Sequence, residues 1–133
     1  SAGTNGSSTD CMIAYCFANV EGYSKFGSYT GNGSADGPFI YTGFRPAFVI
    51  IKSATESRNW IQYDTAVNTY NQANTNIFPN LTNAEYTSAT YAGFDILSNG
   101  FKLRNNDTSG NNNGQTMIYM AFAENPFKNS TAR

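Results

Sequence analysis

The chain reads as an all-β fold, a two-sheet antiparallel β-sandwich, and three observations predict it. No segment holds the i, i+3, i+4 apolar spacing of an amphipathic helix. The apolar runs are short and rich in β-branched and aromatic residues. Gly- and Asn-rich punctuation separates them at the spacing of sandwich strands.

The expected strands are Met12 to Val20, Tyr23 to Tyr29, Phe39 to Thr42, Ala47 to Ser53, Asn59 to Asp64, Phe94 to Leu97, Phe101 to Arg104 and Met117 to Ala123. In the second, Tyr23, Lys25, Gly27 and Tyr29 alternate with Ser24, Phe26 and Ser28, as in a half-exposed strand. Gly31-Asn32-Gly33 and Ala35-Asp36-Gly37-Pro38 mark turns before the third, and Arg45-Pro46 forces an extended entry into the fourth. Ala47 to Lys52 is apolar almost throughout, which predicts a central strand buried on both faces, by the opposite sheet and by a neighbouring subunit. Ser98-Asn99-Gly100 is a tight-hairpin signal between the sixth and seventh strands. Two stretches stay irregular. Thr65 to Asn76 runs into a weakly structured Ile77 to Thr90, and Asn105 to Gly114 has the composition of a surface loop.

A Ser/Thr/Asn/Gly-rich lead-in runs into an apolar strand at both ends of the chain. Met12-Ile13-Ala14-Tyr15-Cys16-Phe17-Ala18 and Met117-Ile118-Tyr119-Met120-Ala121-Phe122-Ala123 share Met, Ile, Phe and Ala in register at an offset of about 105 residues. This predicts a tandem array: residues 1–20 as a polar lead-in plus the last strand of a preceding repeat, and 21–133 as a complete β-sandwich domain. The alternative is two core strands of one sandwich that converged in composition. The chain opens on Ser1 rather than Met, as a fragment or processed product would.

Composition narrows the function classes. Only 13% of the 133 residues are charged, against about 25% in ordinary globular proteins, while 15% are aromatic. Low charge with many amides and hydroxyls suits an extracellular or viral β-protein that meets sugars or other neutral polar surfaces. Eight Lys and Arg against nine Asp and Glu, with no basic cluster, argue against nucleic acid. Apolar runs of about 5 to 8 residues fall short of the ~20 needed to span a bilayer, so no membrane insertion is expected. Cys11 and Cys16 lie on opposite faces of an expected strand, roughly 16 Å apart when extended, and read as two small buried hydrophobes with no disulfide. Such a protein can be assembled in a reducing cytoplasm. The five Asn-x-Ser/Thr triplets are what chance provides in so Asn-rich a chain.

No catalytic constellation stands out. The chain has no His, neither Cys has a base partner, and the carboxylates are scattered singly, so neither an enzyme nor a metal or cofactor is expected. Sugar binding is chemically reasonable, because aromatic faces stack on pyranose rings and amides both donate to and accept from hydroxyls. The candidate ligand contacts are Trp60, Tyr63, Tyr70, Asn71 and Asn74 on the long loop and nearby strand ends, with Asn111, Asn112 and Asn113 on the second loop. Each has a plain structural alternative. Trp60 alternates with Gln62 and Asp64 and in a small sandwich is more often core, and an Asn tract is most often a solvated loop.

Several stretches resemble a known family. Gly22 to Gly33, the strand Gly43-Phe44-Arg45-Pro46-Ala47-Phe48-Val49-Ile50-Ile51-Lys52, the Tyr63-Asp64-Thr65 turn, the hairpin Phe94 to Lys102 and the ending Tyr119 to Phe127 are similar to the repeated lectin-like domains of tail-fibre and other virion proteins of tailed bacteriophages. The resemblance runs nearly the full chain from Met12. It implies a jelly-roll sandwich of the concanavalin A-like group, present in tandem on fibrous, often trimeric, virion proteins. Members often carry Arg three positions after the turn Asp; here that position is Val67, so no role passes to that pair. The expected function is non-catalytic recognition of a host cell-surface glycan or protein by a terminal tail-fibre domain in the virion, working as a homo-oligomer, a trimer by preference. The alternatives are a structural fibre, decoration or filament subunit without a ligand, and a carbohydrate-binding module of a secreted bacterial enzyme.

Overall fold

The computed structural model describes residues 14–88 and 93–126. The strands are β1 (Ser24–Thr30), β2 (Phe39–Tyr41), β3 (Pro46–Ser53), β4 (Ile61–Asp64), β5 (Thr75–Asn76), β6 (Tyr86–Thr87), β7 (Phe94–Leu97), β8 (Gly100–Leu103) and β9 (Thr116–Ala123), with one helical turn, α1 (Thr108–Asn111), before β9. A four-stranded sheet in the order β1-β9-β3-β4 faces a three-stranded sheet in the order β2-β8-β7, and β5-β6 form a small ribbon. All pairings are antiparallel, as the sandwich reading requires.

Period-2 alternation sets the core. On β9 the side chains of Met117, Tyr119 and Ala121 point inward beside Ser53, Ile51 and Val49 of β3, and the next strand adds Ile61 and Tyr63. The facing sheet contributes Ile40, Phe94, Ile96, Phe101 and Leu103. Between the layers the rings form a chain: Tyr63 stacks on Phe94 at 4.2 Å, Phe94 on Phe101 at 5.0 Å, and Phe101 meets Tyr119 edge-on at 5.4 Å. Gly27 lies opposite Tyr119 across the β1-β9 pair, and a Cβ there would stand 3.0 Å from the ring, so the small residue is what lets Tyr119 lie flat across β1.

Two expected strands change. Ala14 to Asn19 form no strand and are exposed, Cys16 is an exposed free thiol, and Val20 makes only an isolated bridge to Ser24. Cys11, Met12 and Ile13 lie outside the described residues. The segment resembles β9 in composition, but β9 itself fills the central slot between β1 and β3. What remains for Phe17 is to stack on Phe26 at 5.3 Å, on the outside of the sheet. The apolar run of β3 is also buried by this chain on one face only. Val49 and Ile51 are fully enclosed, while Phe48, Ile50 and Lys52 are half-buried on the outer face beside Phe122, Met120 and Ile118 of β9.

The long irregular segment turns out to be a seam. From β4 it crosses to the free edge of β7, where the Ala73 amide donates to the Phe94 carbonyl, 2.8 Å. It then returns to the free edge of β4, where Gln62 and Ile77 exchange two backbone bonds of 2.9 and 3.1 Å. Both exposed sheet edges on that side are thereby paired, which removes a template for aggregation.

The buried phenols make the fold sensitive to alkali. Tyr29 donates to the Gly110 carbonyl at 2.6 Å, and burial, with Tyr63 nearby as a smaller cause, holds its ionisation well above the ordinary 10.0. Burial also raises Tyr63 and Tyr119. The folded state keeps these protons after the unfolded chain has begun to lose its own, so the stabilisation is complete below pH 10 and is lost as pH rises above it. We expect Tm to be flat from about pH 7 to about pH 9 and to fall steeply beyond about pH 10. Tyr29→Phe should lose about 1 kcal/mol at neutral pH and show a shallower alkaline decline. Equal slopes for the two proteins in thermal melts would contradict this account.

Candidate functional site

The eight residues singled out from the sequence are scattered over the fold. Tyr63 is in the core, stacked on Phe94, with only 3% of its surface exposed. Trp60 is half-buried beside a shallow hollow of about 330 Å³ on the outer sheet face, shared with Ile50, Met120 and Pro79, and its amide donates to Asn80 Oδ1 at 2.9 Å. Tyr70, at 85% exposed, is the open tip of the seam. Beside it, Asn71 is spent on structure: its Nδ2 donates to the Ile96 carbonyl at 2.8 Å and its Oδ1 accepts from the Ile96 amide at 2.9 Å. The side chain thus copies the two ladder bonds of a neighbouring strand. Asn74 is half-buried, and its carbonyl accepts from the Ser88 amide, 2.9 Å.

The second loop divides within three residues. Asn111 is fully enclosed, which corrects the reading of Asn105 to Gly114 as a surface loop. Its Oδ1 accepts from the Asn32 amide at 2.9 Å, and its Nδ2 donates to the carbonyls of Ser34 at 2.8 Å and Asn105 at 2.7 Å. Asn105 is buried as well, bonded to the Gly93 carbonyl and the Asp107 amide. Asp107 caps α1 through the Ser109 amide. These amides hold the β1-β2 connection onto the α1 loop, so they serve the backbone. Asn112 donates to Glu56 Oε1 at 3.2 Å, and Asn113 is exposed beside Gly33.

A larger concavity lies elsewhere, where the start of β1 approaches the end of β2. It measures about 470 Å³ and is lined by the turn around Asn19 to Lys25, by the corner Tyr41 to Phe44, and by Asn125. Two-way backbone bonds between Val20 and Ser24 fix the turn, with Gly22 at φ 70°. The corner is held by Thr42 and Gly43, whose amides both donate to the Asn99 carbonyl, and by the Thr42 hydroxyl, which donates to the Phe44 carbonyl at 2.6 Å. Gly43 sits at φ 87°, a region that L side chains rarely adopt, and the Tyr41 ring lies against it. Tyr41 remains 63% exposed on the lip. Lys25 and Glu21 supply the groove's charges, and neither is in an ion pair among the described residues. A smaller cavity of about 190 Å³ opens beneath the seam, between β4, the β5-β6 ribbon and the α1 loop.

A family model described as a domain of unknown function, DUF7483, matches residues 1–126. The chain belongs to this family. No curated protein and no solved structure matches it. The DUF7483 match takes in the first 20 residues together with the sandwich. Among the described residues, no helix of this DUF7483 chain is long and apolar enough to cross a membrane.

Sequence reasoning missed the groove because it assigned Asn19 and Val20 to a strand. The available signal was an aromatic set directly before a Gly turn, Tyr41-Thr42-Gly43, facing a second Gly turn at Glu21-Gly22.

The buried amides are directly testable. Asn111→Ala strands the Asn32 amide and two carbonyl bonds in an enclosed site, so it should cost about 2–4 kcal/mol. Asn113→Ala, two residues away and exposed, should stay within about 0.5 kcal/mol of the parent in urea unfolding. Equal effects would refute the assigned roles.

Proposed function

We propose that this DUF7483 domain is a non-catalytic recognition module of a tail fibre or related adhesin of the virion, and that the groove between Lys25 and Tyr41 receives a host cell-surface glycan. The observation that carries the reading is the character of that groove. Its volume of about 470 Å³ falls in the range of small-molecule sites and would take a short oligosaccharide. An exposed aromatic on a rigid Gly corner supplies a stacking face, and Asn125, Glu21 and Lys25 supply polar contacts to hydroxyls. Its lining holds no Cys or His, and Glu21 as its one carboxylate. That suits binding without conversion, since glycoside hydrolysis ordinarily employs a pair. The resemblance to lectin-like virion domains points the same way.

A specific observation also favours self-association. The outer face of the four-stranded sheet carries Phe48, Ile50, Ile118, Met120 and Phe122 at its centre, where a solvated sheet face would carry polar residues. Packing of this face against sister chains, as a trimer, would cover it and would set several weak sites on one particle for avidity.

Tyr41→Ala should weaken adsorption of the protein to host cells or to a glycan array about fivefold per site, the loss of about 1 kcal/mol. Tyr70→Ala, at the tip of the seam, should weaken it less. If Tyr41→Ala adsorbs like the parent and remains folded, the groove is not the site. Sedimentation at tens of micromolar should give a trimer, and Ile118→Glu, at a position 41% exposed on the outer face, should give a monomer with unchanged secondary structure. A monomeric parent would refute the assembly.

A further inference from the structure

Among the described residues, the buried amides pair their side-chain polar atoms, with one exception. Asn68 donates to the carbonyls of Asp64 and Thr75 and accepts from the Thr75 amide. Asn105 and Asn111 use both of their side-chain polar atoms in the same way. Asn76, only 3% exposed, leaves its Oδ1 with no hydrogen-bond partner, and no other enclosed side-chain polar atom among the described residues is left so. An unpaired buried acceptor costs free energy, and native structures keep few of them without a reason.

Asn76 lines the cavity of about 190 Å³ beneath the seam. Asp107, Ser109 and the buried Tyr63 give the same cavity further polar groups, while Phe78 and Tyr86, with ring centroids 6.0 Å apart, give it an aromatic side. No Lys or Arg lines it, and its one charge is the Asp107 carboxylate. An occupant must therefore bring hydrogen-bond donors and no negative charge, which excludes phosphates and acidic sugars. The volume equals that of roughly six waters at about 30 Å³ each, room for one ring with its hydroxyls and too little for two.

We infer that this cavity is a subsite for a single neutral sugar residue, whose hydroxyls donate to Asn76 Oδ1 and the Asp107 carboxylate and whose C–H face lies against Tyr86 and Phe78. The inference rests on the glycan-recognition reading and adds to it a second position, on the β4 side of the sandwich, with a stated ligand class. Oδ1 is almost fully enclosed, so this hydrogen bond requires the Asn76 side chain to turn toward the occupant. Tyr86, 41% exposed on the two-residue strand β6, lines the same cavity from its solvent side.

The test is ligand-observed NMR on the full chain with neutral hexoses and N-acetylhexosamines, using glucuronate and ethylammonium as charged controls. At least one neutral sugar should bind with a millimolar Kd, and glucuronate should not. Asn76→Leu should weaken that sugar tenfold or more, and Tyr86→Ala, at an exposed position that does not threaten folding, should weaken it about fivefold. Equal binding by folded Asn76→Leu and by Tyr86→Ala, or preference for ethylammonium, overturns the subsite. Loss of oligosaccharide adsorption in Tyr41→Ala alongside unaltered binding by the cavity variants would overturn the subsite while leaving the groove in place. Absence of any sugar binding by the parent, on the array and in solution, would overturn both.

Discussion

The chain of aromatic rings between the two sheets is the contact on which the rest of the molecule depends. Tyr63, Phe94, Phe101, Tyr119 and Tyr29 come from β4, β7, β8, β9 and β1, five of the seven strands in the two facing sheets, and each ring touches the next. Large rings bury much area per residue and prefer the offset-stacked and edge-on geometries seen here. A core built this way needs few residues and no charge, which leaves the remaining chain free to be polar and irregular. It also fixes β7 against β4 through the Tyr63–Phe94 stack, the tightest ring pair described. The seam is possible only because those two edges are held at a set distance.

Amides do the work that additional strands would do in a larger sheet. Asn71 completes the edge of β7 at Ile96, Asn19 Oδ1 accepts from the Phe26 amide on β1 at 2.7 Å, and Asn68 ties both ends of the seam's first loop. Backbone donors and acceptors that would face solvent or another chain are satisfied locally. The Asn-rich composition that suggests sugar chemistry from the sequence is therefore, at Asn19, Asn32, Asn68, Asn71, Asn80, Asn105 and Asn111, a device for closing the backbone.

That double use explains what was legible in the sequence. Strand β1 announces itself by alternation, β3 and β9 by their apolar runs, and β7 by the hairpin signal that follows it, because each of these cues lies in the strand's own residues or its turns. The fate of an Asn depends on what lies across space. Asn111 is enclosed and Asn113 exposed within one polar tract, and no local pattern separates them. Ala14 to Ala18 failed as a strand for a related reason: composition records a preference, and the slot that preference fits is occupied by Met117 to Ala123. The groove needed two turns 20 residues apart, on different sheets, to be set side by side.

Asn76 carries meaning because of the amides around it. In a fold that leaves many polar atoms unpaired, one more would say little. Here the seam bonds Thr75 to Asn68, Ile77 to Gln62 and Ala73 to Phe94, and sets Asn76 between Thr75 and Ile77 with its side-chain acceptor unpaired. An apolar residue of similar shape would fill the same volume without leaving a buried acceptor unpaired, so the backbone plan gives no reason for an amide at this position. Lining a polar cavity with aromatic rings on one side supplies such a reason, and it places the unpaired acceptor on a segment that pairs with the edges of both sheets.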